Sequence, residues 1–247
     1  MKADRLELLP GVWLDARRAV WLAESRTLVV ADLHLGYAWA ERRKGSLVPV
    51  SGVDDLLPGL LALAQAHRPR QWVFLGDLVH GSADLPEITA TLTRTVTVLA
   101  TGAELVLTEG NHDRRLQRVV RETGLPLRIE SHLRVGPHLL LHGDAPPAGI
   151  VERWAEESAD GRLLMGHEHP AIRLDDGATT AARCPCFVTG GRRLVLPAFS
   201  PWAAGSDLRV HAPLSPLNRS GDWEAVVAIL GGRLLRIPWD HLRAGRR

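Results

Sequence analysis

The chain has 247 residues, of which 45% are hydrophobic and 23% charged, and its formal net charge is +2. This balance excludes a disordered chain, a collagen-like chain and a coiled-coil rod, and the length is sufficient to bury a core without disulfides. Charges interrupt the first residues, where a signal peptide would stand, and no apolar run reaches the roughly 18 residues of a membrane-spanning helix. We therefore expect one cytoplasmic domain over residues 1–247 and no membrane partner.

Five short apolar runs each lead directly into a cluster of polar residues. The predicted strands are Thr27–Ala31, Gln71–Leu75, Glu104–Thr108, His138–Leu141 and Arg162–Met165. Helix candidates at residues 53–66 and 85–100 separate the first three strands, and a third candidate follows at 114–123. Alternation of strand and helix favours parallel pairing with helices on the outer faces. In such sheets ligands bind beyond the carboxyl ends of the strands, where each polar cluster lies.

After residue 170 the pattern changes to consecutive strands. We predict strands at 171–174, 186–189, 192–196, 225–230 and 233–237, with hairpin turns at Gly190-Gly191 and Gly231-Gly232. A long polar loop over 198–222 separates the two hairpins. Cys184 and Cys186 are two residues apart, so on an extended chain their side chains point to opposite faces and a disulfide between them would be strained. Two cysteines are also too few for a thiolate metal site. We therefore predict two buried thiols in a reducing compartment.

The strand-end clusters concentrate side chains that bind metals. They contain Asp32, His34, Asp77, Asn111, His112, Asp113, His142, His167 and His169. A single Asp or Asn after a strand is usually a turn former, but this set places five of the 11 histidines beside three carboxylates at one edge of a sheet. Imidazole nitrogen with carboxylate and amide oxygen suits Mn²⁺, iron or Zn²⁺. So many ligands exceed the needs of one ion and suit two ions that share a carboxylate.

In chain order these residues form the motifs Asp-x-His, Gly-Asp, Gly-Asn-His-Asp, His and Gly-His-x-His, between Asp32 and Pro170. With them the chain resembles the calcineurin-like metallophosphoesterase superfamily. Shorter stretches are similar to the bacterial ligase-associated DNA-damage-response endonucleases of the PdeM type; these are residues 31–36, 45–49, 166–170, 184–187 and 196–200. The resemblance implies an α/β fold, a four-layer α/β/β/α sandwich of two mixed sheets.

The resemblance also implies a role for each site residue. One ion would be held by Asp32, His34 and His169 and the other by Asn111, His142 and His167, with Asp77 bridging them. Mn²⁺ is the expected metal, and iron, Zn²⁺ and Ni²⁺ are alternatives. The ions would supply hydroxide at neutral pH, and His112, oriented by Asp113, would protonate the leaving oxygen. The implied activity is that of a DNA endonuclease or phosphodiesterase in the DNA damage response, with single-stranded DNA as the substrate. The implied functional partners are DNA ligase and helicase repair proteins.

The sequence leaves the roles of several further residues near the motifs open. Arg114 and Arg115 either bind phosphate or solvate a helix start. Arg42 and Arg43, in a loop with Tyr37 and Trp39, either hold a single strand by charge and stacking or are a solvated basic run. Trp202 is either a stacking residue or a core residue. Glu168 is expected to point away from the metals without a role, and the roles of His80, Asp144 and Glu109 are left open.

Other functions remain compatible with the motifs. One is a small-molecule nucleotide phosphodiesterase or a UDP-sugar pyrophosphohydrolase, which shares the size and the His142-Gly-Asp144 step. Such pyrophosphohydrolases insert a helical lid before Gly-His-x-His, whereas only 21 residues separate Asp144 from Gly166 here. The other is a non-catalytic binding module, which the complete set of ligands disfavours.

Overall fold

The computed structural model describes residues 4–48, 56–81, 85–175, 181–203 and 205–244. These residues form sixteen strands, six α-helices and a turn of 3₁₀ helix at Ser220–Asp222. The strands are β1 (Arg5–Leu9), β2 (Val12–Asp15), β3 (Ala19–Leu22), β4 (Thr27–Ala31), β5 (Gln71–Leu75), β6 (Glu104–Thr108), β7 (Arg128–Glu130), β8 (Leu133–Val135), β9 (His138–Leu141), β10 (Leu163–Met165), β11 (Pro170–Asp175), β12 (Ala181–Gly190), β13 (Arg193–Val195), β14 (Ser206–Asp207), β15 (Ala225–Leu230) and β16 (Arg233–Pro238). The helices are α1 (Tyr37–Arg43), α2 (Leu57–His67), α3 (Pro86–Ala100), α4 (Leu116–Thr123), α5 (Ile150–Glu157) and α6 (Trp239–Ala244). None of these described helices has the length and apolar composition to span a membrane.

The first sheet contains β1 to β7 in chain order. Strands β1 to β4 pair antiparallel, and β4 to β7 pair parallel, as the alternation of strand and helix predicts. The pairing of β4, β5 and β6 places Ala31 opposite Leu75 and Leu75 opposite Thr108. Because these three strands end level with one another, the polar segments that follow them begin at one edge of the sheet.

The second sheet is mixed and contains nine strands. Strands β9, β10 and β13 are parallel at its centre, and Leu141 lies opposite Met165, which lies opposite Val195. Strand β12 is longer than the predicted strand at 186–189: its first half pairs with β11 and its second half with β13 and β15. The β9 and β10 ends therefore form a second level edge, which supplies the His142, His167 and His169 segments.

Alternation along the strands divides the apolar side chains among three cores. In β4, Leu28 and Val30 face the helices α2, α3 and α4, whereas Val29 and Ala31 face the other sheet. The core between the sheets also contains Leu140, Leu164 and Phe187, and a third core lies between the second sheet and helices α5 and α6. The sheets and helices thus stack as α/β/β/α, and the four-layer prediction is confirmed.

Several element predictions need correction. Helix α2 ends one residue later than predicted, and residues 53–55 of the predicted helix lie outside the described residues. Helix α4 begins at Leu116, two residues later than predicted. The first hairpin turn is at 191–192 rather than Gly190-Gly191, because Gly190 pairs with Arg193 in the ladder. Residues 198–222 contain β14 and the 3₁₀ turn, and β1 to β3, β7, β8, α1, α5 and α6 were not predicted. Cys184 and Cys186 are buried free thiols, as expected.

Asp15, at the end of β2, joins the first sheet to helix α2. Its carboxylate accepts a hydrogen bond from Arg17 Nη2 at 2.6 Å and lies 2.9 Å from His67 Nε2 at the end of α2. The Arg5 guanidinium lies 3.4 Å from the same oxygen. Burial raises the pKa of Asp15, but the bonds from Arg17 and His67 outweigh it and hold the pKa well below its usual range. Asp15 is thus a buried carboxylate with charge-assisted partners on two elements.

Candidate metal centre

The candidate metal centre lies where the carboxyl ends of both sheets meet. Each of five strands delivers its polar segment to this place, and none of the segments continues as a strand. Strand β4 precedes Asp32 and His34, β5 precedes Asp77, β6 precedes Asn111 and His112, β9 precedes His142, and β10 precedes His167 and His169. The structure therefore brings together all the residues that the motifs predict as metal ligands.

Backbone hydrogen bonds hold these segments to one another. The His34 N–H donates to the Asp77 carbonyl at 2.8 Å, which joins the segments after β4 and β5. The Gly166 N–H donates to the His142 carbonyl at 3.0 Å, which does the same for β9 and β10. Across the two sheets, the His167 N–H donates to Asp32 Oδ2 at 3.0 Å. The segments are therefore positioned by the fold itself.

Five of the predicted ligands have left-handed backbone conformations. Their φ angles are 52° at Asp32, 48° at His34, 45° at Asp77, 70° at His167 and 43° at His169. Only eight non-glycine residues in the described part of the chain have positive φ, so these conformations are concentrated at the site. Each costs on the order of 1–2 kcal/mol in an L-residue, and such strain is characteristic of functional sites.

Three glycines of the motifs are required because the ligands approach the backbone closely. A Cβ atom at Gly76 would collide with the ring of His142 at Nδ1, and the positive φ of 69° adds strain. A Cβ at Gly110 would lie 2.5 Å from Asp77 Oδ1, and one at Gly166 would lie 2.9 Å from Asp32 Oδ2. These three glycines, which precede Asp77, Asn111 and His167, are therefore required by the packing of the site.

The first group of donor atoms comes from Asp32, His34, Asp77 and His169. One ligand atom from each residue lies within 4.8 Å of all the others. His34 Nε2 and His169 Nε2 are 3.3 Å apart, and His169 Nε2 is 3.5 Å from Asp32 Oδ1. Asp32, His34 and Asp77 are buried, whereas the side chain of His169 is 23% exposed. This group contains the predicted first ion site and the predicted bridging carboxylate.

The second group comes from Asp77, Asn111, His142 and His167. His142 Nε2 lies 3.2 Å from His167 Nδ1, 3.3 Å from Asn111 Oδ1 and 3.6 Å from Asp77 Oδ1. His142 Nδ1 donates to the Leu75 carbonyl at 3.0 Å, so the lone pair of the ring is on Nε2, which faces the other donors. Asp77 thus belongs to both groups.

The donor atoms of both groups fit divalent cations. Two imidazole nitrogens lie 3.2–3.3 Å apart in each group, which is close enough for both to bind one ion. Burial opposes the charged form of His142, yet the Asp32 and Asp77 carboxylates raise its pKa, and Asp32 raises the pKa of His169 in the same way. The negative potential that holds protons on these rings also attracts cations. Burial lowers the pKa of His34 to about 3, which keeps this ring neutral, as ligation requires.

His112 lies beside the carboxylate that the two groups share. Its backbone N–H donates to Asp77 Oδ1 at 3.0 Å, and its Nε2 lies 3.9 Å from Asp77 Oδ2. The side chain is 37% exposed, more than that of His169. A ring at this place can contact a substrate held by the centre, and the general-acid role of His112 remains a prediction.

Asp113 has a different role from the one predicted. Its Oδ1 accepts the Leu78 N–H at 3.0 Å and its Oδ2 accepts the Gly110 N–H at 3.0 Å. Among the described residues, no hydrogen bond joins the carboxylate to the His112 ring, because these backbone amides occupy it. Burial and the charge of Asp77 raise the pKa of Asp113 to about 7. Asp113 therefore joins the segments after β5 and β6 instead of orienting the His112 ring.

His80, whose role the sequence leaves open, contacts a predicted ligand. His80 Nδ1 lies 3.3 Å from His34 Nδ1, and His80 Nε2 lies 3.5 Å from Glu41 Oε1. Since the other nitrogen of His34 faces His169, the contact fixes the orientation of the His34 ring. Sequence reasoning missed Glu41 altogether, and the only available signal was its place shortly after the first motif.

Glu168 is buried and has a structural role that the sequence did not indicate. Its two oxygens accept the backbone N–H groups of Leu214 and Ser215 at 2.9 and 2.7 Å. The Ser215 hydroxyl donates to the carbonyl of Gly143, which follows the predicted ligand His142. Glu168 points away from the metals as expected, but it ties the 214–215 segment to the centre.

The predicted substrate-binding arginines lie on the surface around the centre. Arg114 and Arg115 are exposed between Asp113 and helix α4, and Arg42 and Arg43 are exposed in the last turn of α1. None of the four is among the residues that form the two donor groups. Their binding of phosphate remains a prediction.

A family model described as calcineurin-like phosphoesterase matches residues 25–190, which include every candidate ligand. The chain belongs to the calcineurin-like phosphoesterase family. Membership assigns this phosphoesterase to the metal-dependent hydrolases of phosphoester bonds, and the Asp and His cluster agrees with a divalent metal site. No curated protein matches the phosphoesterase in sequence.

A solved structure shows the same fold. The phosphoesterase is similar to Pseudomonas putida nuclease MPE, with a TM-score of 0.68 and 23% identity over 96% of this chain and 100% of that chain. It also matches the phosphoesterase Yfce from E. coli, with a TM-score of 0.39 and 15% identity over 86% of this chain and 98% of that chain. The first likeness is one of fold, and the second is too distant to support an argument.

Proposed function

We propose that the chain is a metal-dependent phosphodiesterase that cleaves DNA, with single strands as its substrate. The observation that carries the proposal is the pair of donor groups that share Asp77, with the His112 ring beside the shared carboxylate. Two divalent cations at such a site neutralise phosphate oxygens and provide hydroxide near neutral pH. Mn²⁺ is the proposed metal, and iron, Zn²⁺ and Ni²⁺ suit the same nitrogen and oxygen donors.

The residues of the chain then have distinct tasks. The Asp, Asn and His side chains of the two groups would hold the ions, and a left-handed backbone orients five of them. His112 donates a proton from its ring to the departing oxygen, a role typically worth about 10²–10⁴ in rate. Arg114, Arg115, Arg42 and Arg43 provide positive charge for the flanking phosphates.

The position of helix α5 favours a polymeric substrate over a small nucleotide. The segment between the His142 and His167 motifs contains α5, whose Ile150 and Trp154 pack into the third core. The Arg192 guanidinium lies 4.3 Å above the Trp154 ring and covers this helix further. Helix α5 is thus part of the outer layer and does not form a lid over the centre. The nuclease fold of the P. putida protein also agrees with a nucleic-acid substrate.

The cellular context of the proposal comes from the motifs. Their resemblance to the ligase-associated endonucleases suggests a role in the DNA damage response, together with DNA ligase and helicase repair proteins. The buried free thiols Cys184 and Cys186 fit a reducing compartment such as the cytoplasm.

The test is Mn²⁺-dependent cleavage of an end-labelled single-stranded DNA. Wild type and the matched surface variant Glu156→Gln should give a product ladder, and Asp77→Ala should give none. Internal fragments would identify an endonuclease. Intact DNA with hydrolysis of bis(4-nitrophenyl) phosphate would instead indicate a small nucleotide or pyrophosphate substrate. Metal binding without turnover of either compound would indicate a binding module.

A further inference from the structure

Four aromatic rings form a continuous row that leads away from the candidate metal centre. The His112 ring stacks on His80 with centroids 5.4 Å apart and planes at 20°. The ring centroids of His80 and Tyr37 are 4.6 Å apart. The Tyr37 ring stacks on Trp202, with centroids 5.6 Å apart and planes at 7°. We name these four residues the aromatic row. Its inner end is beside Asp77, which belongs to both donor groups.

The outer end of the row is anchored to the same strand end that supplies the first motif. The Tyr37 N–H donates to the His34 carbonyl at 3.1 Å. The Trp202 N–H donates to Ser200 Oγ at 3.3 Å, and the Ser200 N–H donates to the Asp32 carbonyl at 3.3 Å. Both outer rings are therefore held at a fixed place relative to the centre.

Arg18 reinforces this anchor. Its half-buried guanidinium donates from Nη1 to the carbonyls of Ala198, Phe199 and Ser200 at 2.9–3.2 Å. The Phe199 N–H donates to the Ala31 carbonyl at 2.7 Å, and Ala198 forms a bridge with the same residue. The segment that carries Trp202 is thus bound to the end of β4 on two sides, and the Trp202 ring is pre-positioned.

The row is accessible and lies next to positive charge. Tyr37, His80 and Trp202 are half-buried and His112 is exposed. Helix α1 begins with Tyr37 and ends with the exposed Arg42 and Arg43. The neighbouring charge of Lys44 is paired with Glu41 at 2.6 Å, whereas the described structure gives Arg42 and Arg43 no acidic partner. Aromatic rings beside a positively charged surface are the usual means of binding single-stranded nucleic acid.

We propose that Trp202, at the outer end of the aromatic row, is a stacking platform for a base of a single strand whose phosphodiester lies at the metal centre. The inference rests on the proposed function and adds the feature that selects the substrate. A base within a duplex is already stacked and has to leave its neighbours before it can reach such a ring. Every base has a π face, so the surface selects single strands with little regard to sequence.

The test compares two single strands of equal length, oligothymidylate and the same sugar-phosphate chain without bases. Wild type should show a KM for the baseless chain about 5-fold to 150-fold higher than for oligothymidylate, the range expected for one stacked base. Trp202→Ala should raise the KM for oligothymidylate towards that of the baseless chain. It should raise the KM for the baseless chain much less, because that chain has no bases that could stack on the ring.

Control variants separate stacking from a structural role. Trp202→Phe keeps an aromatic face and should retain most of the preference for bases. Val210→Ala changes an exposed side chain in the following segment and should behave as wild type. Equal KM values for the two strands in wild type would overturn the inference, as would a Trp202→Ala variant that loses both strands equally. Failure to cleave either strand, with hydrolysis of bis(4-nitrophenyl) phosphate retained, would show that the proposed function itself is wrong.

Discussion

The carboxylate of Glu168 accepts the backbone N–H of Ser215 at 2.7 Å, and both residues are buried. Glu168 stands between two candidate ligands in sequence, so the bond connects the Gly-His-x-His segment to a distant part of the chain. The adjacent Leu214 N–H donates to the other oxygen at 2.9 Å. These two bonds hold the 214–215 segment against the Gly-His-x-His segment.

Glu168→Gln should destabilise the protein because the amide nitrogen that replaces one carboxylate oxygen cannot accept a hydrogen bond. One of the two backbone N–H groups then loses its buried acceptor, at a cost of about 1–3 kcal/mol. Denaturant unfolding should show the loss, and hydrogen exchange should accelerate at Leu214 and Ser215. Glu156→Gln, at an exposed position, is the matched control. Equal exchange rates in the two variants would contradict the assigned contact.

Asp77→Ala should abolish binding at both ion positions, because its carboxylate belongs to both donor groups. Titration with Mn²⁺ should give about two ions per chain for wild type and less than one for the variant. Burial and the charge of Asp32 raise the pKa of Asp77, so its charge is unfavourable without metal. One ion bound with wild-type affinity would show that Asp77 is not shared.

His112→Ala should reduce DNA cleavage by about 10²–10⁴ and leave the metal content unchanged. The reduction should be smaller for bis(4-nitrophenyl) phosphate, because 4-nitrophenolate leaves without a proton whereas a sugar alkoxide does not. Comparison of kcat for the two substrates, with metal analysis of the same samples, checks both points. Equal losses on the two substrates would argue against a general acid.

Gly76→Ala should displace the His142 ring and strain the backbone. The cost should be at least about 2 kcal/mol of unfolding free energy, and binding of the ion assigned to His142 should weaken. Gly102→Ala is the matched control, since no atom lies within 4 Å of its added Cβ. Thermal unfolding in a chelator and Mn²⁺ titration measure the two effects separately. A Gly76→Ala protein that resembled the control would show that this close approach is dispensable.

Asp15→Asn should reduce stability at neutral pH by about 2 kcal/mol, because the bonds from Arg17 and His67 lose their charged acceptor. The pKa of Asp15 is lower in the folded protein than in the unfolded chain. Its contribution is thus present above about pH 4 and is lost as the pH falls through the folded pKa. Unfolding free energies of the metal-free proteins from pH 7 to pH 3 should show the difference between wild type and variant shrinking below pH 4. A constant difference would contradict this account.

The central strands and the position of the site could be predicted from the sequence. Strands β4, β5 and β6 are buried on both faces, so they appear as continuous apolar runs with clear polar ends. The level ends of these strands then follow from parallel pairing. The first strands were harder to recognise, because β1 (Arg5–Leu9) contains charged residues and is partly exposed.

The contacts around the site could not be predicted. Glu168 meets Ser215 across 47 positions and Arg18 meets Ser200 across 182, and no local pattern links such pairs. The family resemblance implies that Asp113 orients His112, but the tight turn directs its carboxylate to the Gly110 amide. The ligand and catalytic roles of the clustered residues remain predictions, although their proximity is now a structural observation.

The two donor groups draw on both sheets, and this has a consequence for biosynthesis. His34 and His169 are 135 positions apart, so their nitrogens can meet only after the chain between them has been translated and folded. At typical translation rates this takes on the order of ten seconds after the first histidine is made. A ribosome-bound fragment that lacks the second sheet has only the candidate ligands of the first sheet. An ion shared by these two histidines could therefore bind only after both sheets have folded.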